Sequence, residues 1–284
     1  MYLEILSKII AESLLSLYPI FVKYINLSIG LQMWSRFFTY VLISSFFIDY
    51  NFIIRSIFSK YGLALALTTL AHVYCSYRGF QILESGIAYT IFYTYPLMIL
   101  LLSGSSINFI ILFALLGVYI LSKKDVENYS TDPVFTKKEI IKENFKYEGL
   151  VMILLAAFTE ALIYFIVRSI KTKNNWNHLF ISYALCAVLL SIYFYKDIKS
   201  IQLTKTLSTS LLFNLCIGLF GYLLRFFAIS RLEPSLYAPL SYFGILMAYL
   251  YGIIINKDVL TIKKIIGTIL ILIPNFWIIL NKST

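Results

Sequence analysis

Residues 147–168 read YEGLVMILLAAFTEALIYFIVR, an apolar run with Glu148 at its start and a second acid, Glu160, in its interior. As a helix rising 1.5 Å per residue it is ~33 Å long, enough to cross a hydrocarbon layer of ~30 Å. The rest of the chain repeats the pattern. Apolar blocks of similar length lie at about 5–25, 30–49, 61–82, 84–103, 107–122, 176–195, 208–230, 235–255 and 263–281, separated by short charged or Gly/Pro/Asn breaks. Of 284 residues, 60% are hydrophobic and 13% charged, roughly half the charged share of a soluble domain. A water-soluble fold is therefore excluded, and the blocks predict an all-α membrane protein with ten transmembrane helices. The formal charge of +10 comes from 24 Lys and Arg against 14 Asp and Glu. Most of these bases flank apolar blocks, as lipid headgroup anchors do, rather than forming a stripe for nucleic acid. Cys75, Cys186 and Cys216 are scattered and have no CxxC spacing, so neither a disulfide framework nor a metal site is expected. The first block carries Glu4, Lys8 and Glu12 without a small-residue cleavage signature, and is expected to remain as the first membrane helix.

The long polar connection, with six lysines and nearly as many acids, divides the chain into residues 1–122, a linker at 123–146, and residues 147–284. Around Lys137–Lys146 its charges fit a short surface helix or a solvated linker equally well. The two halves resemble each other. Glu12 and Glu160 are 148 positions apart, Arg78 and Arg225 147, and Glu84 and Glu233 149. Tyr89 pairs with Tyr237 and Tyr93 with Tyr242 at the same offsets. An ionised group at mid-membrane costs at least ~2.5 kcal/mol, so recurrence of such groups points to a duplicated unit. Five spans per unit is an odd number, which makes the second copy enter from the opposite side, an inverted-topology repeat typical of transporters. Once the linker lysines are set aside, Lys and Arg are nearly balanced across the two sides, and charge does not fix the orientation.

Glu12 and Glu160 each lie in the opening span of their half among apolar neighbours. Burial disfavours the charged form of a carboxyl, which suits the pair to a proton or cation site; a salt bridge to a nearby arginine is the plainer alternative. Arg78 and Arg225 offer a planar fork of donors for a carboxylate or phosphate, or else compensate the two glutamates. For Arg36, compensation or snorkelling is the favoured reading. Tyr89, Tyr93 and Pro96 fall on one helical face, as Tyr237 and Tyr242 do less closely, and their hydroxyls could line a solute cavity or simply pack. Pro96 and Pro239 are expected to kink their spans. His72 is read as hydrogen-bonded structure more readily than as a proton shuttle.

The chain resembles the drug/metabolite transporter superfamily, in particular its EamA-like ten-span members. The resemblance rests on Arg36, the run Tyr77 to Ser85 leading to Pro96, Gly117-Val118, the stretch from Arg225 to Tyr237, and Lys257 to Thr261 followed by Ile266-Gly267. Ala11-Glu12, Gly86-Ile87-Ala88-Tyr89 and the spacing from Glu160 to Arg168 are also similar to the small multidrug resistance proteins. In that family the glutamate binds proton and cationic substrate in turn, so the resemblance implies this role for Glu12, with Glu160 as its repeat partner. Phe92 stands where that family has Trp, and the first half lacks an acidic turn residue like Asp258. The resulting expectation is a secondary active transporter in a cell (inner) membrane, working by alternating access. It would move a small zwitterion or organic cation such as an amino acid, an amine or S-adenosylmethionine, with protons as a coupling partner. The substrate-binding set is Glu12, Glu160, Arg78, Arg225, Tyr89, Tyr93, Tyr237 and Tyr242. Its partners are the solute, protons and the lipid bilayer, with no nucleic acid and no cofactor, and the protein is expected as a monomer or homodimer. The competing class is a membrane-embedded lipid or polyprenyl-phosphate transferase, for which the chain offers only His72 and His178 and no paired-acid loop motif.

Overall fold

The computed structural model describes residues 2–104, 111–122, 136–200 and 205–282. Every regular element among them is helical, as lipid requires of a chain that must satisfy its own backbone hydrogen bonds. The helices are α1 (Tyr2–Leu15), α2 (Tyr18–Tyr24), α3 (Ile29–Ser44), α4 (Tyr50–Ser56), α5 (Lys60–Ile82), α6 (Ser85–Phe92), α7 (Tyr95–Leu102) and α8 (Ile111–Ser122). After these come α9 (Thr136–Ser169), α10 (Asn175–Tyr193), α11 (Tyr195–Ser200), α12 (Lys205–Phe213), α13 (Leu219–Arg231), α14 (Pro234–Ser241), α15 (Phe243–Tyr251) and α16 (Ile262–Lys282). Six stretches are long and apolar enough to cross a membrane: Tyr2–Tyr24, Ser85–Leu102, Tyr147–Ser169, Asn175–Tyr193, Lys205–Arg231 and Pro234–Ile255. The pair α4 and α5, bent by 86°, makes a seventh when taken as one span. The protein is thus an integral, multi-pass membrane protein. Of the polar connection, residues 123–135 lie outside the described residues, and helix α9 begins at Thr136 and runs on into its span without a break.

Local chemistry sets the helix ends. Ser28, Asp49, Ser59 and Asn174 precede α3, α4, α5 and α10, and each side chain accepts a first-turn N–H. Three spans are interrupted. The first divides at Ser16–Leu17 and the fourth at Tyr93–Thr94, and in both a proline, Pro19 or Pro96, opens the second piece, where its missing N–H costs least. Pro239 lies within α14, and that span breaks three residues later at Tyr242. A π-helical turn, Asn214–Gly218, joins α12 to α13.

Helix α5 packs on α9, α1 on α13, α3 on α10 and α8 on α16. The α8–α16 crossing is made by glycines: a Cβ on Gly117 would come within 2.6 Å of the Gly267 carbonyl oxygen, so the backbones meet where no larger side chain fits. The bundle is apolar outside and polar within. Leu67, Leu155, Val188, Leu212 and Leu246 are exposed, whereas Lys8, Glu12, Arg36, Glu160 and Arg225 are buried. That inversion of the soluble pattern is what a lipid solvent selects, because a charge facing hydrocarbon is expensive and an exposed leucine is not.

Candidate functional site

The buried charges meet where α1, α5, α9 and α13 converge beside the broken spans. Glu12 on α1 is fully buried. Lys8, one turn earlier on the same helix, forms an ion pair with its Oε1, and Tyr93 donates to its Oε2. Tyr95 donates to Oε1 at 3.3 Å and accepts from Lys8 Nζ at 3.2 Å. The Lys8 ammonium also sits 3.7 Å from the centroid of the Tyr237 ring, a cation–π contact. From α13, Arg225 Nη2 reaches Glu160 Oε1 at 2.9 Å and Glu12 Oε1 at 4.0 Å, while its Nε donates to Tyr237 at 3.4 Å. One guanidinium therefore bridges the two glutamates that the sequence places 148 residues apart.

Glu160 has a different second neighbour. His72 on α5 binds the Ala156 carbonyl through Nδ1 at 3.1 Å, and a carbonyl can only accept, so Nδ1 carries a hydrogen. Its Nε2 then faces Glu160 Oε2 at 3.4 Å, and that contact is attractive only when one of the two carries a proton. Glu160 Oε2 has no hydrogen-bond partner among the described residues. A single hydrogen between Nε2 and Oε2 would satisfy both atoms.

Six of the eight residues singled out by sequence lie in this core: Glu12, Glu160, Arg225, Tyr93 and Tyr237 touch one another through the contacts above, and Tyr89 packs edge-on against Tyr93 with centroids 4.9 Å apart. Tyr242 is buried at the break between α14 and α15. Arg78 is elsewhere. Its side chain is 30% exposed and pairs with Glu148 at 2.6 Å, on the side of α5 facing the start of the α9 span. Two cations buried beside this centre, Lys8 and Arg36, were not in the set. Lys8 carried a legible signal, a base four residues before an acid in an apolar helix. Arg36 is neither snorkelling nor paired with a glutamate, the two readings favoured from sequence: it is 1% exposed and enclosed by tyrosine rings.

Between these groups lies a hollow of about 20 Å³, lined by Arg36, His72, Ser76, Arg225 and rings that include Tyr18, Tyr89 and Tyr222. It has room for roughly one water molecule, so the centre is closed. Two further ion pairs lie away from this centre. Glu84, before α6, is held by Lys264 at 2.8 Å; Glu233, before α14, is held by Arg168 at 3.2 Å. Lys264 also bonds the Val259 carbonyl, and Arg168 the Leu232 carbonyl, both at 2.7 Å.

Residues 148–280 match the family model described as the EamA-like transporter family. The second half of the chain thus carries the match to a family of the drug/metabolite transporter superfamily. The matched stretch runs from the start of the α9 span into α16 and contains Glu160 and Arg225. A solved structure described only as "Crystal structure of protein" is similar in fold, with a TM-score of 0.58 and 14% identity over 96% of this chain and 94% of its own. No curated protein matches the sequence. Proteins of the EamA family are transporters.

Proposed function

We propose that the protein is a secondary active transporter of a small organic metabolite in a cell membrane, with ten spans in two inverted five-helix repeats, and that it works by alternating access. The observation that carries this reading is the ion cluster, to which the first half contributes Lys8, Glu12 and His72 and the second half Glu160 and Arg225. A centre shared in this way is made and broken as one half moves against the other. The packing supports the repeat. If each span is exchanged for the one five positions away, α5 on α9 becomes α13 on α1, while α3 on α10 and α8 on α16 map onto themselves; all of these pairs are in contact. The two end networks support alternation. The start of the first span lines a groove with Lys173, just beyond α9 and Arg168, while its end bonds Ile255 through Tyr24, close to the Lys264 network. Glu84–Lys264 and Glu233–Arg168 therefore bar opposite ends of the bundle.

Proton exchange at Glu160 and His72 is the coupling step in this reading. The test is flux of metabolites into vesicles carrying the purified protein, with and without a pH gradient. The expected result is a gradient-driven flux whose pH dependence disappears in Glu160→Gln, while Glu12→Gln lowers the flux and leaves its pH dependence in place. Flux indifferent to the gradient in wild-type protein would refute proton coupling, and turnover of a substrate in detergent with no flux in vesicles would refute transport.

A further inference from the structure

Arg36 on α3 has an environment unlike that of the other buried cations. Its Cζ lies 4.4 Å from the ring centroid of Tyr222, 4.8 Å from that of Tyr18, and 5.6–5.7 Å from those of Tyr40, Tyr77 and Tyr183. One Nη donates to the Tyr183 hydroxyl at 2.8 Å, and Nε has no hydrogen-bond partner among the described residues. The two central carboxylates are engaged by Lys8, Arg225 and His72, and neither makes an ion pair with Arg36. Arg225 faces the same Tyr222 ring from 5.8 Å, and both guanidinium groups line the central hollow.

Charge bookkeeping gives these contacts a direction. At the centre, with the Glu160–His72 pair unprotonated, Lys8, Arg36 and Arg225 are three buried cations against two buried carboxylates, Glu12 and Glu160; Lys264, also buried, is paired with Glu84 outside this centre. Aromatic faces soften the cost of a buried guanidinium but leave its in-plane donors unused, and those donors match a carboxylate in geometry. A doubly charged, strongly hydrated phosphate overshoots a deficit of one and suits ring-lined walls poorly. We infer that Arg36, together with Arg225 across the Tyr222 ring, receives the carboxylate of a solute of net charge −1 whose apolar or aromatic body packs against Phe80, Tyr89 and Phe92. This assignment rests on the transporter reading for its solute and replaces the zwitterion or cation expected from sequence. The hollow of about 20 Å³ does not hold such a body, so binding goes with separation of the rings.

The full-length protein in detergent micelles is titrated with benzoate, hexanoate and 3-phenylpropionate, and with 3-phenylpropylamine as the cationic counterpart, following melting temperature. At least one carboxylate is expected to raise the melting temperature in a saturable way, with no shift from the amine. Arg36→Gln is expected to weaken that binding at least tenfold, and Arg36→Lys, which keeps the charge and loses the fork, to fall between. Stabilisation by the amine in place of the carboxylates, stabilisation by none of the four, or an unchanged Kd in Arg36→Lys and Arg36→Gln overturns the assignment. If Arg36→Gln does not fold, the Lys variant and Tyr183→Phe carry the test, each expected to weaken binding severalfold; an unchanged Kd in both overturns it. Vesicle flux separates this inference from the reading beneath it. Carboxylate binding through Arg36 without flux defeats transport and leaves the site standing, whereas amine flux untouched by Arg36→Gln defeats the site and leaves transport standing.

Discussion

Glu12 and Glu160, 148 residues apart in the chain, are both buried, yet their surroundings differ in kind. Glu12 is saturated: Lys8 and Tyr95 bind one oxygen, Tyr93 the other, and Arg225 stands at 4.0 Å. Glu160 has Arg225 on one oxygen and, on the other, only a histidine that attracts it when a proton is shared. In the proposed transporter, Glu12 would serve as a fixed countercharge and Glu160 as the exchange site. The burial is common to both. What separates them is a lysine one turn away in α1, for which α9 has Ala156 at the same spacing.

The largest effect is expected from the residue both acids share. Arg225→Met leaves two buried carboxylates short of a partner and should lower stability by about 3–5 kcal/mol, measured by denaturant unfolding in micelles; a loss under 1 kcal/mol would show that the two acids do not depend on it. The contrast itself is sharpened by Lys8→Met. Alone it strands Glu12 and should cost about 3 kcal/mol, whereas the double variant Lys8→Met with Glu12→Gln should recover most of that loss. Glu160→Gln should give no such recovery, and equal rescue by both would erase the distinction between the acids. A smaller change tests the seal on Glu12. A methyl added at Gly244 would collide with the Tyr93 hydroxyl where it meets the carboxylate, so Gly244→Ala should destabilise by about 1–3 kcal/mol. No change in melting temperature would mean that Tyr93 yields without disturbing the site.

Much of this was legible in the sequence. Apolar block length gave the helices, and the near-constant offset between charged residues pointed to Glu12, Glu160 and Arg225. Arg78 shows where that signal ends. In the proposed repeat, matching the helix ends sets Leu83 against Leu232 and Glu84 against Glu233, an offset of 149, and so sets Ser76 rather than Arg78 against Arg225. Two residues turn a helix by about 200°, which moves Arg78 to the opposite face, onto Glu148, and leaves Ser76 beside Arg225 in the hollow. An offset counted along the chain carries no information about helical phase. The cage around Arg36 was hidden for another reason. Its rings come from positions 18, 40, 77, 183 and 222, in five different helices, and no local pattern joins them.

The smallness of the central hollow bears on something apart from solute choice. With space for about one water, it interrupts any file of water molecules at mid-bundle, and Grotthuss hopping needs such a file to run unbroken. In this closed conformation, then, the central hollow offers proton hopping no continuous path.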